Sequence, residues 1–299
     1  MVHQYKNSLL FKIIAVVLFI LMLTGFRMLW NNFFQPEPDQ PMVEAGKLDL
    51  QEWDFSEKGT VTMSGEWNFY PNKLVEDLEN KELNASPITV PGDWSKHLNG
   101  EADSPYGYGT YHLRIYLDPS SDQRFRIHVP SVRSASKLYA NGEHVGGSGV
   151  VGTKEKNTEA HNIPYTSSTI RSEGIRELDI YLEASNFIDP RESGLIRSIK
   201  IGLEEDIVKE TNLSMILQVV AAIIFIVHAL FAIIIYIIGI RERRLLYFSI
   251  MLIVLAFINT TFGDEKVLYQ YVTLDYVYSL KGASLAMLIL FLAFIHVAR

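Results

Sequence analysis

The run from Leu213 to Ile240, LSMILQVVAAIIFIVHALFAIIIYIIGI, constrains this chain more than any other stretch. It is longer than the roughly 20 apolar residues that carry a helix across a bilayer core at about 1.5 Å per residue. A transmembrane helix over 213–240 is the expectation. Arg241-Glu242-Arg243-Arg244 comes immediately after it, and guanidinium groups clustered so closely resist transfer, which marks this as the cytoplasmic end. With that end fixed, the polar region before the run lies outside the cytoplasm, and the chain beyond Arg244 must return through the membrane.

Of the 299 residues, 48% are hydrophobic although 20% are charged, a combination that suits apolar residues segregated into membrane segments. Between the first apolar segment and the second lies a polar region of about 175 residues, enough for one domain with its own core. The net charge of −7 offers no basic face for a phosphate backbone, so nucleic acid is not an expected partner. There is no cysteine, hence no disulfide to brace the polar domain and no thiolate to act as nucleophile or ligand. His97, His112, His128, His144 and His161 lack a metal-ligand spacing such as His-x-x-x-His and read as surface or turn residues. Neither a metal nor a cofactor is expected.

Lys6 and Lys12 precede an apolar run that begins at Ile13, and they hold residues 1–12 in the cytoplasm. A cleaved signal peptide shares this basic start. The run has no small-x-small cleavage site, however, and Trp30, Phe33 and Phe34 resemble an interfacial belt, which favours an uncleaved anchor over 13–33. A proline-rich linker over 34–42 comes next.

From 43 to 205 the hydrophobic period is two. In Tyr111-His112-Leu113-Arg114-Ile115-Tyr116-Leu117 the odd positions face a core, leaving His112 and Arg114 for solvent. Further strands are expected over 61–63, 66–70, 125–129, 136–140, 177–184 and 195–201. Asn141-Gly142 between two of these signals a type I′ hairpin turn. Residues 71–82 are the one helical candidate, and Gly146 to Gly152 reads as a flexible connection because it lacks the Lys-Ser/Thr ending of a phosphate loop. Short strands at this spacing predict an antiparallel β-sandwich, so the fold class is mixed: an extracellular all-β jelly-roll sandwich plus transmembrane α-helices.

After Arg244, residues 245–262 form a second membrane helix, 263–279 an extracellular loop whose tyrosines (Tyr269, Tyr271, Tyr276, Tyr278) suit the interface, and 280–298 a third helix. Gln218 and His228 are costly against lipid and are expected to face other helices.

Four motifs run in an order that resembles the galactose-binding-like domain at the front of family 2 glycoside hydrolases. They are Gly65-Glu66-Trp67-Asn68-Phe69-Tyr70, Val90-Pro91-Gly92-Asp93-Trp94, Tyr108-Gly109-Thr110-Tyr111, and the stretch Ala135 to Gly146. Ala184-Ser185-Asn186-Phe187 and Gly194 to Gly202 resemble that domain's closing strands. Such a domain before a block of helices resembles the bacterial 7TM receptors with diverse intracellular signalling modules. This resemblance implies a multi-pass protein of the bacterial plasma membrane, often dimeric, with a cytoplasmic output such as a histidine kinase or a cyclic-dinucleotide enzyme. The chain departs from that pattern after its third helix beyond the sandwich, where no output domain is present, and a fragment of a longer receptor is the expectation.

The segment 99–109, with its carboxylates and two tyrosines, is the best candidate rim for an extracellular small molecule or carbohydrate. Trp94, Glu101, Asp103, Tyr106 and Tyr108 are the candidate ligand-binding residues, although core packing competes for Trp94 and more strongly for Trp67. Glycoside hydrolysis needs two carboxylates held about 5 to 9.5 Å apart in a rigid cleft. Glu101 with Asp103, and Glu204-Glu205-Asp206, read instead as solvated charge, so no catalytic residue is assigned and the chain is not expected to be an enzyme. Two readings stay open beside a glycosidase remnant: a receptor segment that transmits ligand binding, and a membrane-anchored carbohydrate-binding or scaffolding protein that does not signal.

Overall fold

The computed structural model describes residues 40–78, 84–98, 104–120, 122–272 and 274–298, with Val17, Leu21, Thr24 and Gly25. The expected anchor over 13–33 otherwise lies outside the described residues. The chain divides into Met1–Gln40 and Pro41–Arg299, and the sandwich and its helices belong to the second unit.

Among the described residues the polar region forms two sheets. The larger contains β1 (Lys47–Asp49), β3 (Gly65–Pro71), β4 (Ser86–Val90), β5 (Gly107–Tyr116), β7 (Ala135–Ala140), β8 (Glu143–Ser148) and β11 (Glu177–Asn186). The smaller contains β2 (Val61–Thr62), β6 (Arg124–Val129), β9 (Tyr165–Thr166), β10 (Ile170–Arg171) and β12 (Lys200–Leu203). Pairing is antiparallel throughout except between β1 and β5. The chain crosses from one sheet to the other several times, as in a jelly roll.

Alternation places the core between the sheets. Tyr111, Leu113 and Ile115 of β5, Leu178, Ile180 and Leu182 of β11, and Phe125, Ile127 and Val129 of β6 are all buried. Trp67 and Phe69 join them from β3, in keeping with their alternation in sequence. The turn between β7 and β8 has positive φ at Asn141 (48°) and Gly142 (83°), the conformation a type I′ hairpin requires.

Several expectations are corrected. His112 does not face open solvent: it is buried on the outer side of the larger sheet, stacked 4.4 Å from the Tyr181 ring and 2.9 Å from Asp179. Partners across the sheet supply this cover, and an alternation pattern cannot register them. Of 195–201, only Lys200 and Ile201 lie in β12; Ile199 still offers its carbonyl to Met63. Among the described residues of the helical candidate, β3 (Gly65–Pro71) reaches its first position and Val75–Leu78 is helix; Gly146 and Gly147 pair within β8 rather than forming a free connection.

Three long helices come after the sandwich: α1 (Glu204–Ile238), α2 (Arg243–Phe262) and α3 (Tyr276–Ala298), each long and apolar enough to cross a membrane. Small residues are prominent among their buried positions: Ala222, Ala229 and Ala232 on α1, Ser249 and Ala256 on α2, Ser279, Ala286 and Ala293 on α3. Small side chains let helix backbones approach closely where no hydrophobic effect draws them together. Gln218 faces α2 as expected, donating to the Asn259 carbonyl at 2.6 Å while Asn259 donates to the Gln218 carbonyl at 2.7 Å. His228 does not face a described helix. It is exposed and meets its own backbone, the Ile224 carbonyl one turn back, at 2.7 Å.

The start of α1 differs most from expectation. The helix begins at Glu204, immediately after β12, where a connection up to Asn212 was expected. Glu204 is no solvated charge: its Oε1 accepts from Arg126 Nη2 at 2.5 Å and from Thr169 Oγ1 at 3.0 Å. Glu210 accepts from Thr60 Oγ1 at 2.8 Å and from Lys200 Nζ at 2.9 Å. The first two turns of α1 are thereby strapped to the smaller sheet, with carboxylates in the first turn where the helix dipole favours them.

Candidate functional site

Residues 104–109 and the segment around Asp189 come together at one end of the sandwich. Tyr106 is exposed, its backbone N–H 3.3 Å from Ser104 Oγ. Tyr108 lies within β5 opposite Ser185 and is half-buried. Glu101 and Asp103 fall outside the described residues. Trp94 is fully buried, its ring stacked nearly parallel to Tyr111 at 6.3 Å, and its Nε1 donates to the Pro105 carbonyl at 3.2 Å. A ligand has no access to that ring as it stands. Trp94 supports the rim from beneath because the Trp94–Pro105 bond fixes the chain just before Tyr106.

The same Pro105 carbonyl accepts from Asn186 Nδ2 at 3.0 Å. Asn186, wholly buried at the end of β11, also donates to the Asp189 carbonyl at 2.7 Å and accepts from the Asp189 N–H at 2.9 Å. It closes a tight loop that turns the Asp189 side chain toward the helices. That carboxylate is entirely buried: Oδ1 accepts from Arg191 Nε at 2.8 Å, and Oδ2 from Arg191 Nη2 at 2.6 Å and Tyr276 Oη at 2.5 Å. Burial alone raises the Asp189 pKa, but the bonds from Arg191 and Tyr276 outweigh it and hold the carboxyl below the usual carboxylate range.

Tyr276 is the first residue of α3, and Asp275 caps that helix by accepting from the Val277 N–H at 2.9 Å. Tyr271 and Tyr278 are exposed, as an interfacial belt requires, but Tyr276 is not; its hydroxyl is taken up by the sandwich. The connection between α2 and α3 is likewise docked rather than free. Glu265 and Lys266 are buried, and Lys266 Nζ donates to Asn162 Oδ1 at 2.7 Å and to the Asn162 carbonyl. Arg197 pairs with Asp264. His128 Nε2 stands 3.8 Å from Glu265; burial and the nearby Lys200 lower the His128 pKa to about 4, so the imidazole is neutral and this contact is not an ion pair at pH 7.

Between the docked connection and the sandwich lies a cavity of about 110 Å³. Its wall carries Arg133, Arg191, Arg197 and Lys266, and an apolar side is supplied by Ile196, Phe262 and Leu280. Burial first, then the neighbouring Arg197, Arg191 and Arg133, lower the Lys266 pKa to about 7. Burial and Arg191 likewise lower that of Arg133. Sequence reasoning missed this site, whose residues come from several separate stretches of chain. The one local signal was a lysine-bearing polar connection, Gly263-Asp264-Glu265-Lys266, between two apolar runs.

No family model matches the sequence, and no curated protein does. Among solved structures the chain is similar to a GH2 β-galacturonidase from Eisenbergiella tayi bound to galacturonate. Identity is 16% and the TM-score 0.33, covering 48% of this chain and 24% of that one. It is also similar to a β-glucuronidase from Ruminococcus gnavus, at 14% identity and a TM-score of 0.36, covering 48% of this chain and 28% of that one. The chain thus spans about a quarter of the length of these structures. Its own strands and helices establish a two-sheet β-sandwich that runs directly into three helices of membrane-crossing length and apolarity.

Proposed function

We propose that this chain is the sensing segment of a bacterial membrane receptor. Its sandwich faces the cell exterior, takes a small molecule at the rim around Tyr106 and Tyr108, and passes the binding event to the helices. A carbohydrate is the ligand class that the sequence resemblance implies. The observation that carries the reading is the buried hydrogen-bond path from the Pro105 carbonyl through Asn186 and Asp189 to Tyr276, which joins the rim to the first residue of α3. A surface-retention protein needs only a tether. Here the sandwich is held to the helices and their connection at several points, among them this path, the β12–α1 junction and the Lys266–Asn162 contact, which suits an element that two sites bias together. The output is a cytoplasmic signalling module such as a histidine kinase, and this segment binds rather than catalyses.

The chain has no cysteine, so a single cysteine at Val297 can carry an environment-sensitive fluorophore at the far end of α3. With the full chain in lipid nanodiscs and a panel of soluble saccharides as probes, a saccharide that binds should change the emission. Tyr276→Phe should keep the binding and lose the change. An emission change equal in wild type and Tyr276→Phe, or binding without any change, would sink the coupling and leave a surface binding protein.

A further inference from the structure

We propose that the cavity between the sandwich and the α2–α3 connection is a binding site for a small oxyanion, a phosphate or a carboxylate group, received by Arg133 with Thr261 and Lys266 around it. This deepens the receptor reading, and rests on it, by naming a ligand class for its membrane-proximal end.

Charge points to an anion. Among the described residues the cavity wall holds four cationic side chains and no carboxylate. Two acids beside the wall are already engaged: Asp189 is bonded to Arg191 and Tyr276, and Asp264 pairs with Arg197. Gathering cations in a partly dry space costs free energy, and the depressed pKa of Lys266 reports that mutual repulsion alongside burial. Arg191 and Arg197 have carboxylate partners, but Arg133 and Lys266 lack a close one, and an uncompensated pair of buried cations serves no packing purpose that apolar side chains would not serve better.

Two donors in the wall are unused. Arg133 Nη1 is buried and has no hydrogen-bond partner, its closest acid oxygen being Asp189 Oδ1 at 4.0 Å. That is too long for a hydrogen bond, and a buried unpaired donor of a charged group is expensive. Thr261 Oγ1, buried in the α2 part of the wall, also lacks a partner. A planar guanidinium edge is the protein group best matched to phosphate and carboxylate oxygens.

Size limits the ligand. The cavity of about 110 Å³ is well above the roughly 10–15 Å³ that a single water needs on the same measure, which leaves room for a small group such as a phosphate or a short carboxylic acid. The α2 and α3 ends supply part of the wall, so the oxyanion has two possible sources, a soluble anion or a phospholipid headgroup.

The test is calorimetric titration of the full chain in detergent micelles, in chloride buffer, with sodium phosphate and sodium succinate as probes. One-to-one binding of either probe, weakened at least about tenfold in Arg133→Gln and retained in part by Arg133→Lys, is the expected result. No binding of either probe up to about 10 mM by wild type would overturn the proposal, as would unchanged affinity in Arg133→Gln; the wild-type titration decides even if a variant misfolds. Added phosphatidylglycerol then separates the sources: competition with phosphate supports the site with lipid as its ligand, and its absence supports it with a soluble oxyanion. Calorimetry reads binding alone, so its failure leaves the fluorescence test of coupling standing.

Discussion

Replacing Tyr276 by phenylalanine removes one oxygen from the point where the sandwich holds the helices. The ring stays and no cavity opens, so the effect reports the bonds of the hydroxyl, chiefly the one to Asp189 Oδ2 at 2.5 Å. The acceptor is an ionised carboxylate with no solvent exposure, and water cannot replace the lost donor. Such a bond contributes about 1.5–3 kcal/mol. Oδ2 keeps Arg191 Nη2 at 2.6 Å, which places the expected loss at the lower end, about 1.5 kcal/mol. At about 1.36 kcal/mol per factor of ten, opening of the α2–α3 connection should become about tenfold more frequent. Hydrogen exchange of the full chain in nanodiscs reads this directly. The amides of Tyr269, Tyr271 and Val272, which donate within the turn after Lys266, should lose about tenfold in protection while those of β11 keep theirs. Tyr278→Phe, at an exposed ring further along α3, is the control and should change nothing. Protection within about twofold of wild type in Tyr276→Phe would refute the view that this bond holds the connection down.

Lys266→Met should flatten a pH dependence. The folded pKa of about 7 lies below the ordinary 10.5, so the unfolded chain binds the extra proton between those values. Wild-type stability should therefore rise from pH 7 toward 10.5 and level off below 7, where the full cost of the buried charge is present; thermal melts across pH 6–10 check whether the variant lacks that slope. Gly263→Ala should separate α1 from α2, because a Cβ there would meet the Gln218 side-chain amide and stand 2.5 Å from the Asn259 carbonyl oxygen. A loss of about 1–3 kcal/mol is expected, read as a lower melting temperature in detergent. Trp67→Ala should cost about 3–5 kcal/mol within the sandwich, where the ring is wholly buried and its Nε1 donates to the Met63 carbonyl, while leaving the helical circular dichroism in place.

Legibility in the sequence was confined to whatever repeats at short range. The alternation at Tyr111, Leu113 and Ile115, the Asn141-Gly142 turn and the three apolar runs after the sandwich each announce themselves within a few residues, and each appears in the structure. Of the candidate site, local sequence singled out only rim residues, among them Tyr106 and Tyr108. Its buried half depends on pairs such as Tyr276 with Asp189, 87 positions apart, and Lys266 with Asn162, 104 apart. No periodicity encodes such pairs, and a tyrosine near an apolar run has the same local sequence whether it meets lipid or a buried carboxylate. The start of α1 was hidden for a related reason. Glu204-Glu205-Asp206 looks solvated until Arg126, 78 positions earlier, is placed beside it.

The absence of any loop between β12 and α1 gives the molecule the geometry of a crank. A 35-residue helix is about 52 Å long, and its first two turns are fixed to the smaller sheet through Glu204 and Glu210. If the sandwich rocks by about 5° against the membrane plane, the far end of a rigid arm of that length sweeps about 4.5 Å, more than the roughly 1–2 Å helix shifts that suffice to switch subunit interfaces. Another attachment, through Tyr276, lies on a different arm. Under the proposed receptor reading, a rotation that pushes α1 inward draws on α3, and relative displacement of the two far ends, rather than travel of either alone, is the expected signal.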